Sequence, residues 1–235
     1  MSVDERFLRL DGNKRDRILD TAVEEFAGHG FHQASMNRMA RSLGIAKGSL
    51  FQYFGNKEGM FGFVFGHAVD LVRAYLHDVK MRQAGGDFFD RIRESLRAGI
   101  RFIDDHPHIY KIYLKILFQE NFPMRAEFLE QVRFFSGRFL TKQVEAGKAE
   151  KALRSDLDTS AMVFFLDALL DRFLQSYAVS YLDSGLGLHR AGPEVIERRI
   201  GELIATLRQG LARPEIEAGS GEKQMAAGAG GIPHE

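Results

Sequence analysis

The chain has 235 residues, 32 Lys and Arg against 32 Asp and Glu, and no cysteine. Its composition, 45% hydrophobic and 27% charged, is that of an ordinary globular protein. A chain of this length buries roughly 70 to 75% of its unfolded surface, and the missing thiols exclude a disulfide scaffold, a thiolate zinc site and a cysteine nucleophile. The longest apolar stretch, Ala161 to Leu182, is broken by Asp167, Asp171 and Arg172, so it lacks the run of about 20 apolar residues that a membrane span needs. The opening MSVDERFLRLDGNKR has no apolar signal core, and we expect a cytoplasmic protein with no membrane partner.

In chain order, helical periodicity dominates and no segment reads as a strand. A first helix is expected over Asn13 to His29, burying Ile18, Leu19, Ala22, Val23 and Phe26, with Gly30 as its stop. Ser35 then caps Met36 to Leu43, Gly44 marks a break, and Ala46 to Phe54 forms the next helix. Asn56 caps a long helix from Lys57 to about Arg82, ended by Ala84-Gly85-Gly86. Further helices are expected over Asp87 to Asp104, Pro107 to Gln119 and Met124 to Glu145, with Pro107 and Pro123 at helix starts. Asp158 to Leu182 is apolar around most of its circumference, and Gly192-Pro193 opens a last helix with the stripe Ile196, Ile200, Leu203, Leu207 and Leu211. The expected fold is all-α: a three-helix N-terminal unit over 1–56 and a helical bundle over 57–213, with 214–235 a disordered tail.

The neutral total hides a local imbalance. Between Phe26 and Lys57 there is no Asp or Glu, while Arg38, Arg41, Lys47 and Lys57 fall there with His29 and His32. Such a segment presents a positive potential that concentrates phosphate backbones. Within it, Met36 to Phe54 has the helix-turn-helix spacing: Ala40 is small where two helices approach, Gly44 supplies the turn, and Ile45 and Leu50 close a shared core. The second helix then turns Lys47, Gly48, Ser49 and Gln52 outward, a polar set suited to base edges in a major groove.

The run from Arg17 to Met60, with Ile18-Leu19-Asp20, Ala22, Phe26, Gly30-Phe31, Ala34-Ser35-Met36, Met39-Ala40, the unbroken Gly44 to Phe54, Asn56-Lys57-Glu58 and Met60, resembles the DNA-binding domain of the tetracycline-repressor (TetR) family of bacterial transcription regulators. The resemblance implies that Ser35, Tyr53 and Lys57 touch phosphates and set register. It places Asn37, Lys47, Gly48, Ser49 and Gln52 at base edges, with Arg38 also on the DNA-binding face. Two departures stand out: Ala46 replaces the Ser or Thr common as recognition-helix cap, and Gln52 stands where an aromatic is common.

The resemblance also implies an operator-bound homodimer paired through helices 158–182 and 193–212, located with the bacterial nucleoid. A small effector would occupy the C-terminal domain, which holds 15 of the 20 phenylalanines. Its pocket would be mostly apolar, with polar groups from His67, His106, Tyr110 or Tyr113, so the effector is expected to be hydrophobic. Phe102, Phe128, Phe135 and Phe139 recur at helical spacing and read either as packing or as pocket lining. Asp167, Asp171 and Gln175, four residues apart, read as a site for a cationic ligand, as a solvent face, or as partners for a base across the dimer interface. His106-Pro107-His108 lacks a third ligand and reads as capping or surface rather than metal binding. No phosphate loop, nucleophile elbow or zincin motif occurs, so no catalytic residue, cofactor or metal is expected. The expected function is a repressor released from a palindromic operator by its effector, with the long helix from Lys57 as lever. A ligand-independent regulator or activator, or a helical ligand carrier or enzyme, is the alternative.

Overall fold

The computed structural model describes residues 4–82, 86–118 and 125–211, apart from the side chain of residue 82. The expected turn at Ala84-Gly85, the helix start at Pro123 and the tail over 214–235 lie outside the described residues. Among the described residues there are ten α-helices and no strand. They are α1 (Glu5–Leu8), α2 (Gly12–Gln33), α3 (Met36–Leu43), α4 (Lys47–Phe54), α5 (Lys57–Arg82), α6 (Phe88–Asp105), α7 (Pro107–Phe118), α8 (Arg125–Ala149), α9 (Thr159–Ala178) and α10 (Pro193–Leu211).

Local chemistry sets most boundaries. Asp11 caps α2 by accepting from the Lys14 amide, and Ser35 caps α3 by accepting from the Arg38 amide at 3.4 Å. Gly44 ends α3 with φ +67°, a left-handed conformation that L side chains avoid, and the Ile45 amide reaches back to the Ala40 carbonyl at 3.1 Å. Asn56 Oδ1 accepts from the Gly59 amide at 2.8 Å and opens α5. Asp87 and Asp90 close a reciprocal capping box at α6.

Three expectations need correction. Gly30 breaks the regular helix at φ +69°, but the chain resumes helical turns to Gln33. The expected helix over 158–182 ends at Ala178, followed by a short 3-10 turn over Ser180–Leu182. The N-terminal arm, ahead of the first helix expected from sequence, forms α1, whose Phe7 is buried with ring centroids 5.0 Å from Phe54 and 5.0 Å from Phe63.

The buried side chains form two cores. The first joins α1 to α4 with Met60, Phe61, Val64, Phe65 and Val69 of α5, and reaches beyond residue 57 to Ile109, Ile112 and Ile116 of α7 and Phe128 of α8. The second is built from α6, α8, α9 and α10, with Tyr110 of α7. The stripe of α10 lies in this second core of its own chain, with Ile196, Ile200, Leu207 and Leu211 buried and Leu203 packed against them. On α9, Met162, Leu166 and Phe173 face the same core, while Phe164 is 77% and Phe165 48% exposed on the opposite side.

Candidate functional site

The α3–α4 pair presents the acid-free surface. Asn37, Arg38, Arg41, Lys47, Gly48 and Gln52 are exposed, whereas Ser35, Ser49, Tyr53 and Lys57 are half-buried. Leu50 and Phe54 point the opposite way into the first core. Ala46 supplies no side-chain cap to α4, as its methyl group dictates. A Cβ added at Gly48 meets open space, so packing within the subunit does not demand glycine there. Phe51, 41% exposed on the same helix, was not singled out in sequence, because its outward direction shows only once Leu50 and Phe54 are seated.

Two of the expected DNA contacts are tied to the protein itself. Arg38 donates through Nε to both oxygens of Glu25 at 2.9 and 2.8 Å, and through Nη2 to the Gln33 carbonyl at 2.9 Å. Glu25 also accepts from the Ser35 amide at 2.8 Å. Burial by itself raises the Glu25 carboxyl, but the hydrogen bonds from Arg38 and Ser35 outweigh it and hold the group below the usual range. Lys57 Nζ donates to the His32 carbonyl at 3.0 Å and the Ala34 carbonyl at 3.3 Å, and sits 4.7 Å from the Phe31 ring centroid. It therefore clamps the C-terminal end of α2.

A cavity of about 260 Å³ lies among α5, α6, α7, α8 and α9. Of the eight effector-site residues expected from sequence, Phe102, Tyr110, Tyr113, Phe135, Asp167 and Asp171 line it. His67 and His106 are not among the lining residues. His106 stands behind the wall, its ring 5.4 Å from Phe102 and 5.8 Å from Tyr75, and its amide donates to the Phe102 carbonyl as the C-cap of α6. Burial, then the neighbouring His106, pushes the His67 imidazole below its usual range. All four phenylalanines left open between packing and pocket, Phe102, Phe128, Phe135 and Phe139, line the cavity.

Within the chain, Arg133 of α8 pairs with both Asp167 and Asp171. Tyr113 Oη donates to Asp171 Oδ1 at 3.1 Å, and Gln175 Nε2 donates to Asp171 Oδ2 at 3.0 Å. Desolvation, then the charge of Asp171, pushes both Tyr110 and Tyr113 well above the usual phenol range. Both hydroxyls stay protonated at neutral pH.

Residues 18–62 match the family model for bacterial regulatory proteins of the tetR family, and residues 86–212 match that for the tetracyclin repressor-like C-terminal domain. The chain belongs to the tetR family. Among curated tetR-type relatives, a probable acrEF/envCD operon repressor of Escherichia coli K12 is 22% identical over 187 residues, covering 78% of this chain and 83% of that protein. A TetR family transcriptional regulator from Chloroflexus aurantiacus superposes with TM-score 0.67 at 28% identity, covering 91% of this chain and all of that one. The regulator FadR of Bacillus subtilis, solved with stearoyl-CoA, has the same fold with TM-score 0.63 at 18% identity, covering 80% of this chain and 96% of that one.

TetR-family proteins are DNA-binding transcriptional regulators that dimerise and bind small molecules. In this TetR-family chain the helix-turn-helix is α3–α4, and the C-terminal ligand-binding region contains the cavity. No described helix is long and apolar enough to cross a membrane.

Proposed function

We propose that this chain is a homodimeric repressor that leaves a palindromic operator when a small, mostly apolar effector enters the cavity. One observation carries the reading. Val64, Phe65, Val69, Ile109, Ile112, Ile116 and Phe128 line the cavity and also belong to the core that seats α2, α3 and α4. A molecule that pushes on this shared wall moves the support of the recognition helix, because close-packed interiors transmit displacement rather than absorb it. The long α5 serves as lever, as the sequence suggested, and α7 packs against α2 as a second arm.

On the DNA side, Asn37, Lys47, Gly48 and Gln52 read base edges, with Ser49 at the margin, while Ser35 and Tyr53 position the backbone. Arg38 and Lys57 add positive potential while bracing the unit. Two such helices must lie about 34 Å apart, or a multiple of it, to enter successive grooves on one face of the duplex. The outward face of α9, with Phe164 and Phe165, forms the centre of the dimer interface. On α10 the apolar stripe is already used within the chain, so its exposed small side, including Ala205, abuts the partner.

The effector is hydrophobic because the wall is. Selection of bound duplexes from a random pool, followed by competition with candidate effectors, tests the whole reading. Recovery of a palindrome whose binding an apolar compound abolishes is expected; no enriched sequence at low salt would sink it.

A further inference from the structure

The described wall of the cavity is mostly apolar; the hydroxyls of Tyr75, Ser95 and Ser136 donate to groups of the protein, and the remaining polar groups gather along one seam between α7, α8 and α9. There Arg133, Asp167 and Asp171 are the only charged lining residues among those described, and Asp171 already accepts from Arg133, Tyr113 and Gln175. Beside them Tyr110, only 7% exposed, has a buried hydroxyl with no hydrogen-bond partner among the described residues. Its ring centroid lies 5.7 Å from that of Tyr113. A buried hydroxyl left unpaired is uncommon in native proteins and marks a place where a partner is missing.

Resting on the effector reading above, we propose that the cavity selects an uncharged apolar molecule with a single acceptor oxygen, a ketone or related carbonyl, which takes the hydrogen bond of the Tyr110 hydroxyl. Three features decide the class. One arginine against two aspartates leaves a surplus negative charge on the seam, and that charge disfavours a carboxylate placed beside it. A cation would have to displace Arg133, which pairs with both acids. The Tyr110 hydroxyl, a buried lining group without a partner among the described residues, is a neutral donor whose complement is a neutral acceptor.

The test uses the full chain and four probes of similar size: methyl octyl ketone, decanoate, decylammonium and butylbenzene, each titrated by calorimetry. The ketone is expected to bind at least about tenfold more tightly than either ion. Tyr110→Phe, which removes a single oxygen, is expected to lower the ratio of ketone to butylbenzene affinity by about fivefold to tenfold, the value of one hydrogen bond. Asp171→Asn, which removes the surplus charge, narrows the gap between ketone and decanoate. Tightest binding by decanoate or decylammonium, or an unchanged ratio in Tyr110→Phe, overturns this inference and leaves the effector reading standing. Failure of all four probes to bind overturns the effector reading and the inference together.

Discussion

Glu25, whose side chain is 7% exposed, grips Arg38 across 13 residues of sequence and fastens the first turn of α3 to the body of α2. The same carboxylate accepts from the Ser35 amide, so one buried acid aligns the cap and the first turn of the helix that precedes the recognition helix. Replacing Glu25 by Gln is expected to destabilise the chain by about 1.5 to 3 kcal/mol, the range for a hydrogen bond to a charged group. Because the carboxyl titrates below its ordinary value of 4.5 in the folded chain, its contribution is present above about pH 4.5 and is lost as pH falls through the folded value. Urea unfolding of both proteins at neutral pH and near pH 3 checks this. A gap that stays constant across that range removes the ionised carboxylate as its cause.

The two lysines of the acid-free stretch differ in what holds them. Lys47 is exposed and, among the described residues, shows no hydrogen bond or ion pair, whereas Lys57 sits on the carbonyls of His32 and Ala34. Lys47→Met is therefore expected to reduce the salt slope of duplex binding by about one unit. Lys57→Met should reduce it less and should lower the melting temperature instead. Fluorescence anisotropy over a salt series, with calorimetric melts, separates the two. Equal slopes lost from both variants would return Lys57 to the phosphate.

The helix-turn-helix was legible because its signals are local. Ser35, Gly44 and Asn56 act on backbone groups within five residues, so α3 and the start of α5 fall where the sequence puts them. Contacts between distant residues were not legible. Glu25 lies just outside the acid-free window, and nothing in the spacing of Asp167 and Asp171 names Arg133, 34 and 38 residues away, as their partner. Alpha-helix α1 escaped for the same reason: four residues carry no periodicity, and Phe7 is held by Tyr53, Phe54 and Phe63. The choice between packing and pocket for the phenylalanines depended on a void that periodicity cannot register.

Gly48 separates stability from recognition. Its added Cβ meets nothing within 4 Å, so Gly48→Ala should stabilise α4 by about 0.5 to 1 kcal/mol through helix propensity. If the backbone approaches a base or phosphate there, the same methyl group weakens operator binding. A raised melting temperature together with lower operator affinity is the expected pair of results. A variant that melts higher and binds the operator as well as the parent shows that DNA does not approach Gly48 closely.

Phe164 offers the sharpest test of assembly. At 77% exposure it leads an outward face of α9 that continues through Phe165, while the core-facing side of the helix is filled by Met162 and Leu166. Large aromatics exposed side by side on a regular helix mark an association surface, and a carboxylate placed there would be buried without a partner in a symmetric dimer. Phe164→Glu is expected to sediment as a monomer and to lose operator affinity by roughly a hundredfold or more, because each half-site then binds alone. Since Phe164 does not line the cavity, ligand titration of the monomer should still show binding, which separates failure to pair from failure to fold. Met81→Glu, a charge placed on another exposed apolar side chain, on α5, controls for surface charge and should leave the dimer whole. A dimer that survives Phe164→Glu would move the interface off this face of α9.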